Sequence, residues 1–432
     1  MEKFVIEGGA PLSGTIVPAG NKNGALPILA AAVLTEDEVV VRNVPRIRDV
    51  DAMLGILSAL GASVEWRGDN EVAVCAAGIE STEVDRALAE RIRASFLLAG
   101  PLLARFRRAV MPPPGGDVIG RRRLDPHLDA FAELGAEVEM NGSIILSAPR
   151  GLRAGDVFMD EPSVMATENA LMAAALTPGA TIIGNAACEP HVQDLARLLV
   201  RMGADIQGIG SNMLTVMGSA RLSGCEHEVA PDHIEIGSFM ALAGVTGGEL
   251  RIKDTVPSDL RMIRLIFERL GLHSELDGDD VLVPGGQDLV VRRDVGEYKS
   301  KLQDGPWPAF PADLTSIAVA LATQCQGSFL VHEWMFENRL IFTDKLVGMG
   351  ADIVLCDPHR AIVTGPSRLR AQRMDSPDIR AGMAMLMAAL CADGVSEIGN
   401  IRQIDRGYER IDERLRNLGA RIERVATEPV HA

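Results

Sequence analysis

The chain of 432 residues has few rings, no cysteine pair and no excess of basic charge. Its six cysteines, Cys75, Cys188, Cys225, Cys325, Cys356 and Cys391, are widely spaced and form no Cys-x-x-Cys pair. They read as free, mostly buried thiols in a reducing compartment rather than as a disulfide framework. Cys225-Glu226-His227 is a local cluster of ligand types, but zinc usually takes paired ligands and no second pair follows. Aromatic residues make up 4%, so a core drawn from the 47% apolar residues must be built of Ala, Leu, Ile, Val and Met. No apolar run approaches the ~20 residues that cross a bilayer. The start, Met1-Glu2-Lys3-Phe4-Val5-Ile6, lacks the charged-then-apolar pattern of a signal. The chain therefore reads as a soluble cytoplasmic protein. A net charge of −16 argues against a nucleic-acid partner. Small anions remain possible ligands, because they need only a local group of Arg, Lys and helix ends. No Gly/Ser-rich or Pro-rich linker divides the chain.

What is present is a repeat. A Leu/Met-Gly-Ala-like turn recurs with its glycine at Gly61, Gly135, Gly203, Gly271, Gly350 and Gly419, 68 to 79 residues apart. An amphipathic helix pattern precedes each turn, as in 128–134, and a short alternating strand follows, as in 137–140. Glycine at the helix end supplies the left-handed cap that reverses the chain. A second helix type recurs once per unit, apolar nearly all round, beginning near Lys22, Arg91, Ser163, Asp232, Asp313 and Asp378. A helix apolar on every face belongs inside. The period is too long for a solenoid of ~20–50 residues per unit, so closed α/β halves fit better. Two domains of three units and three domains of two both satisfy the repeat.

The inner helices open on polar residues. Ser163, Asp232, Asp313 and Asp378 suit helix caps. Lys22, Arg93 and Arg380 do not: a cation at a helix N-terminus opposes the dipole unless an anion is bound. The stretch Pro112–Arg123 joins three prolines, three glycines, Asp117 and the run Arg121-Arg122-Arg123. It reads either as a solvated loop or as a mobile lid that brings charge to a phosphate substrate.

At these residues the chain resembles the UDP-N-acetylglucosamine 1-carboxyvinyltransferases of the enolpyruvyl transferase family, over nearly its whole length. The likeness lies in Asn21-Lys22-Asn23, Arg93-Ala94-Ser95, the Pro-Gly-Gly loop, Ser163-Val164 and Phe310-Pro311-Ala312-Asp313-Leu314. It continues in Phe336-Glu337-Asn338-Arg339 and Ile404-Asp405-Arg406-Gly407-Tyr408-Glu409. The resemblance implies an inside-out α/β barrel fold of two domains, each of three repeated α/β units, around a cleft. One domain would span 22–230 with the lid 112–123, the other 1–21 and 231–432. It also implies transfer of the enolpyruvyl group of phosphoenolpyruvate to the 3-hydroxyl of UDP-N-acetylglucosamine, the committed step of peptidoglycan precursor synthesis. Those two substrates would be the partners. No cofactor, metal or membrane is implied, and the oligomeric state is left open.

By the same resemblance, Lys22, Arg122 and Arg406 would hold the phosphate and carboxylate of phosphoenolpyruvate. Asn23, Arg93, Ser163, Val164, Asp313 and Met335 would line the nucleotide-sugar site. Arg123, Leu124, Asp125 and His127 match the stretch that meets the uracil, and Arg380 a further anion contact. Asp313 is the expected base, and Asp117, Lys22 and Arg406 complete the catalytic set. Three departures stand out. Asp117 occupies a lid position where many members carry cysteine, which implies insensitivity to fosfomycin. Met165 stands where a glycine commonly follows Ser-Val, and His233 replaces a common arginine. Two other readings compete: the sister enzyme acting on shikimate 3-phosphate, whose Gly-Ser-Lys-Ser signature is absent here, and a silent paralogue that binds a nucleotide sugar.

Overall fold

The computed structural model describes residues 2–117 and 119–426. At all six repeat glycines the backbone is left-handed, with φ from +86 at Gly271 to +113 at Gly203. A helix ends just before each, and a strand follows each: Ser63–Trp66, Glu137–Met140, Asp205–Gln207, Glu275–Asp277, Asp352–Asp357 and Arg421–Ala426.

These strands enter sheets built to one plan. In the sheet of Glu38–Arg42, the strand Glu226–Glu228 pairs parallel on one edge, while Val72–Cys75 and then Ser63–Trp66 pair antiparallel on the other. The same parallel, antiparallel, antiparallel order recurs around Gly179–Gly184, Leu250–Ile252, Gly327–His332 and Val395–Gly399. The sixth sheet has three strands, and its parallel edge shrinks to a single bridge between Glu83 and Val110. The N-terminus completes two of these sheets: Glu2–Glu7 lies between Val395–Gly399 and Arg421–Ala426, and Gly14–Ile16 pairs with Leu250–Ile252.

Two compact units result. The first holds residues 2–19, 119–121 and 231–426, and the second Gly20–Asp117 and Arg122–Ala230. Each has three sheets, three outer helices and its own hydrophobic core. In the first unit the inner helices His233–Thr246, Thr315–Ala322 and Ile379–Cys391 pack on one another. Every residue from His233 to Gly244 is buried, which is why that helix shows no polar face. In the second unit the inner elements are Lys22–Ala31, the tight turn Arg93–Leu98 running into Ala99–Phe106, and Val164–Ala175. Among the described residues no helix is long and apolar enough to cross a membrane.

The repeat glycines differ in what surrounds them, which gives a test. A methyl group at Gly203 would meet nothing within 4 Å, whereas at Gly61 it would lie 2.4 Å from the Gly78 carbonyl oxygen. Gly203→Ala should cost about 1 kcal/mol through left-handed strain alone. Gly61→Ala should cost about 2–4 kcal/mol, because backbone must move. Urea unfolding would rank them, and equal losses would overturn the close-approach account.

Candidate active site

In the second unit Asn21 caps the first inner helix, its Oδ1 accepting from Gly24 N at 3.1 Å. Lys22 is therefore the first helical residue. Its Nζ lies 2.8 Å from Asp49 Oδ2, with both side chains at most 10% exposed. Asp49 sits in the first turn of the helix Arg48–Leu60, where a carboxylate also suits the dipole. The expected helix-start cation thus brings its own buried counter-ion. Asn23, beside it, is half-buried.

Arg93 opens its tight turn and donates through Nη2 to the carbonyls of Arg122 at 2.8 Å and Arg123 at 3.3 Å. It therefore holds the C-terminal stem of the Pro112–Arg123 loop. Burial, then the charge of Arg122, pushes its guanidinium down to about 10. The other stem is fixed by Gly115, whose N–H donates to Ala89 O at 3.2 Å. A Cβ there would lie 1.8 Å from Glu90 O. Val118, in mid-loop, lies outside the described residues. Ile119 and Arg121 are held within the first unit: Asn338 N donates to Ile119 O at 3.0 Å, and Arg121 N to Glu337 Oε2 at 3.2 Å. Asp117 and Arg122 are half-buried.

Beyond the loop, Arg123 is ringed by acids: Asp160 at 2.7 Å, and Glu161 and Asp125 at 3.5 Å each. Leu124 is half-buried and Asp125 exposed at the start of the helix Asp125–Glu133. The His127 imidazole, in contrast, is 2% exposed and belongs to the core, edge-on to Phe96 at 5.0 Å. Asn169 lies 2.9 Å from its Nδ1, donates to Phe96 O at 3.0 Å and accepts from Gly100 N at 2.8 Å. Since the amide nitrogen can only donate, His127 Nδ1 accepts and its proton sits on Nε2. Burial, and secondarily Arg93, pushes His127 down to about 3. Its ring is a structural joint within the core of this unit. Ser163 caps the helix Val164–Ala175 as expected, Oγ accepting from Ala166 N at 3.4 Å. Val164 and Met165 are half-buried and pack against the core of this unit.

In the first unit Asp232 and Asp378 cap their helices, each carboxylate accepting from two backbone N–H groups. Asp313 does not, contrary to expectation. Pro311 starts a tight turn at Ala312–Leu314, and Asp313 falls inside it. Its Oδ1 instead accepts from Arg339 Nη2 at 2.9 Å. Its Oδ2 accepts from Arg380 Nε at 3.1 Å and Nη2 at 2.9 Å. Arg339 and Arg380 are 4% and 3% exposed, while the Asp313 side chain keeps 28% of its surface open. Burial opposes the charge of Arg380, but Asp313, with Tyr408 and Asp232, outweighs it and holds the guanidinium above its ordinary range. The Tyr408 ring lies 5.5 Å below that guanidinium, and its hydroxyl is 3.1 Å from Ser238 Oγ. His233 is buried beside this group, edge-on to Trp307 at 6.0 Å. Burial, then Arg380, pushes it down to about 4. Met335 is half-buried in the chain after Trp334, and Arg406 ends the turn Ile401–Arg406, donating to Gln403 Oε1 at 2.9 Å.

The geometry defines two polar assemblies. One joins Arg93 to the loop stem beside Arg122 and Arg123. The other is a carboxylate clasped by two buried arginines. In the sequence Arg339 lies within a motif of the resemblance with no role attached to it, and Asp49 lies in none. No local signal marks either: one is an arginine after a turn, the other an ordinary first-turn acid.

A fold of two three-unit α/β halves is that of the enolpyruvyl transferases. A family model described as EPSP synthase (3-phosphoshikimate 1-carboxyvinyltransferase) matches residues 6–415. The solved structure of the enolpyruvyl transferase NikO from Streptomyces tendae matches with a TM-score of 0.86 over 99% of both chains, at 24% identity. EPSP synthase from Acinetobacter baumannii matches with a TM-score of 0.75 at 18% identity, over 99% of this chain and 100% of that one. These two likenesses concern fold alone, and they bear out the expected architecture. Closer in sequence are proteins named UDP-N-acetylglucosamine 1-carboxyvinyltransferase. That of Bradyrhizobium diazoefficiens is 56% identical over 98% of both chains, and that of Treponema denticola 52% identical over 98% of this chain and 99% of its own. The chain belongs to the enolpyruvyl transferase family, and within it to the UDP-N-acetylglucosamine 1-carboxyvinyltransferases.

Two tests follow from these environments. Lys22→Ala removes a buried counter-ion of Asp49, so stability should fall by about 3 kcal/mol as well as any activity. Lys22→Ala/Asp49→Ala should recover most of that loss, and a double variant no more stable than the single one would overturn the pairing. On the acid side, folded His233 and His127 take up protons only near pH 4 and 3. The unfolded chain takes them up near 6.5. Between those values the unfolded state binds more protons, so stability falls as pH drops. His127→Gln should flatten that slope, and an NMR titration of His127 with a midpoint near 6.5 would contradict its burial.

Proposed function

We propose that this chain transfers the enolpyruvyl group of phosphoenolpyruvate to the 3-hydroxyl of UDP-N-acetylglucosamine with release of phosphate, in the cytoplasm, as the committed step of peptidoglycan precursor synthesis. The observation that carries the reading is the 56% identity over 98% of a relative bearing that name, in a chain that carries Lys22, Asp313 and Arg406, with Asp117 at the lid position.

The reaction is addition followed by elimination. The sugar oxygen bonds to C2 of the enol while its proton leaves and C3 gains one, giving a tetrahedral intermediate. C3 then loses a proton, the C2–O bond to phosphate breaks, and the enol double bond returns. Asp313 is the base for the hydroxyl. Arg339 and Arg380 hold its carboxylate in place for that role. Asp117 is the acid over C3. Lys22, Arg122 and Arg406 neutralise the phosphate and carboxylate, whose charge grows in the transition state. Asn23, Arg93, Ser163, Val164 and Met335 line the nucleotide sugar. Arg123, Leu124, Asp125 and the backbone at His127 meet the uracil, and Arg380 acts through Asp313. Met165, which stands where a glycine commonly follows Ser-Val, packs part of its side chain against the core of its unit, and that supports substrate fit.

Phosphate release from phosphoenolpyruvate should require UDP-N-acetylglucosamine. Release with shikimate 3-phosphate instead would favour the sister activity, and none with either would favour a silent binder. Asp313→Asn should lower kcat by about 10²–10⁴-fold, the range for a missing general base. A carboxylate is a far weaker nucleophile toward an epoxide than a thiolate. Fosfomycin should therefore leave turnover intact, while Asp117→Cys should gain time-dependent inactivation with the drug's mass on that residue. Inactivation of the unaltered protein would show that the reactive position lies elsewhere.

A further inference from the structure

Near Met335, the first unit buries two carboxyl groups that the reaction above does not use. Glu333 follows the strand Gly327–His332 and is fully buried, and Asp304 follows the strand Lys301–Gln303 and is 2% exposed. Glu333 Oε1 accepts from Phe336 N at 3.1 Å, and Asp304 Oδ1 accepts from Trp334 N. Together they pin the turn at residues 333–336. Their other oxygens, Glu333 Oε2 and Asp304 Oδ2, are buried without a hydrogen-bond partner, and the short turn that both carboxyl groups pin brings the two together. Two ionised carboxylates there would combine like charges with two unsatisfied buried acceptors. A single proton would remove both faults, with Glu333 Oε2–H donating to Asp304 Oδ2.

The groups that face Glu333 are few. Asp304 faces it from the neighbouring strand, Thr315 from the helix Thr315–Ala322, and Arg339 from beyond the turn. From the adjoining hairpin, His359 meets its backbone oxygen through Nδ1 at 2.8 Å. Arg339 is the cation that also holds Asp313 Oδ1, and its Nε is buried without a partner.

We propose that Glu333, sharing one proton with Asp304, is a positioning residue for the base: protonated, it holds the turn and leaves Arg339 to Asp313, and once ionised it draws Arg339 away. Burial, then the charge of Asp304, raises Glu333 to about 9, so the loss of alignment falls on the alkaline side. The kinetic arm of the test rests on the enolpyruvyl transfer proposed above; the spectroscopic arm does not.

In Glu333→Gln the amide donates to Asp304 Oδ2 and still accepts from Phe336 N. This variant should keep kcat within about threefold near neutral pH and lose the alkaline limb of the kcat profile. Glu333→Ala, without the donor, should lose about tenfold in kcat, with KM for phosphoenolpyruvate less affected. Asp304→Asn removes the like charge, lowers Glu333 and should move the alkaline limb toward neutral. Infrared difference spectra at neutral pH should show a deuterium-sensitive protonated-carboxyl band that Glu333→Gln abolishes. Absence of that band, or an unchanged alkaline limb in Glu333→Gln, would overturn the proposal. A wild-type chain with no transfer at all but with the band intact would instead count against the functional reading and leave the shared proton standing.

Discussion

A helix that is apolar on every face can exist in water only where other structure surrounds it, and that constraint shapes both units of this protein. Each contains three such segments, and each must close sheets and amphipathic helices around them. The sheets follow one hydrogen-bonding order because they perform one task, covering an inner helix on one face while meeting solvent on the other. Closure also requires the two chain segments that complete the first unit from the N-terminus, Glu2–Glu7 and Gly14–Ile16.

Burying helices leaves their ends as the places where polar chemistry survives inside. Four unsatisfied N–H groups begin every helix, and this chain meets them in different ways. Asn21, Ser163, Asp232 and Asp378 spend their side chains on caps. Asp313 falls inside the tight turn before its helix rather than at the cap, and its carboxylate goes to two buried arginines instead. A buried arginine without an anion would be costly, so Asp313 secures Arg339 and Arg380 as much as they orient Asp313. Lys22 and Asp49 stand in the same relation. In both places a buried charge is held by a partner from the chain, and its orientation comes from charge balance as well as from packing.

The histidines and acids at these sites show how strongly environment overrides residue type. His127 could belong to a ligand contact or to a core; Asn169, with a carbonyl, a backbone N–H and the imidazole to satisfy, settles it for the core. His233 is held neutral by burial next to Arg380. Glu333 and Asp304, unremarkable in the sequence, become one proton-sharing unit because two strand ends bring them together out of water.

By itself the sequence determined what depends on neighbours along the chain. The left-handed glycines, the amphipathic helices before them, the strands after them and the all-apolar inner helices are governed by local backbone sterics and by periodicity. The caps at Ser163, Asp232 and Asp378 were legible for the same reason, since a cap is a contact over two or three residues. Only the tertiary structure decided the pairings across long stretches of chain. Lys22 meets Asp49, Asp313 meets Arg339 and Arg380, Arg93 holds the loop stem at Arg122, and Glu333 faces Asp304. Electrostatic partners are chosen by distance in space and by the low dielectric of the interior. Neither quantity is written into the order of residues, and both exist only once the helices have been enclosed.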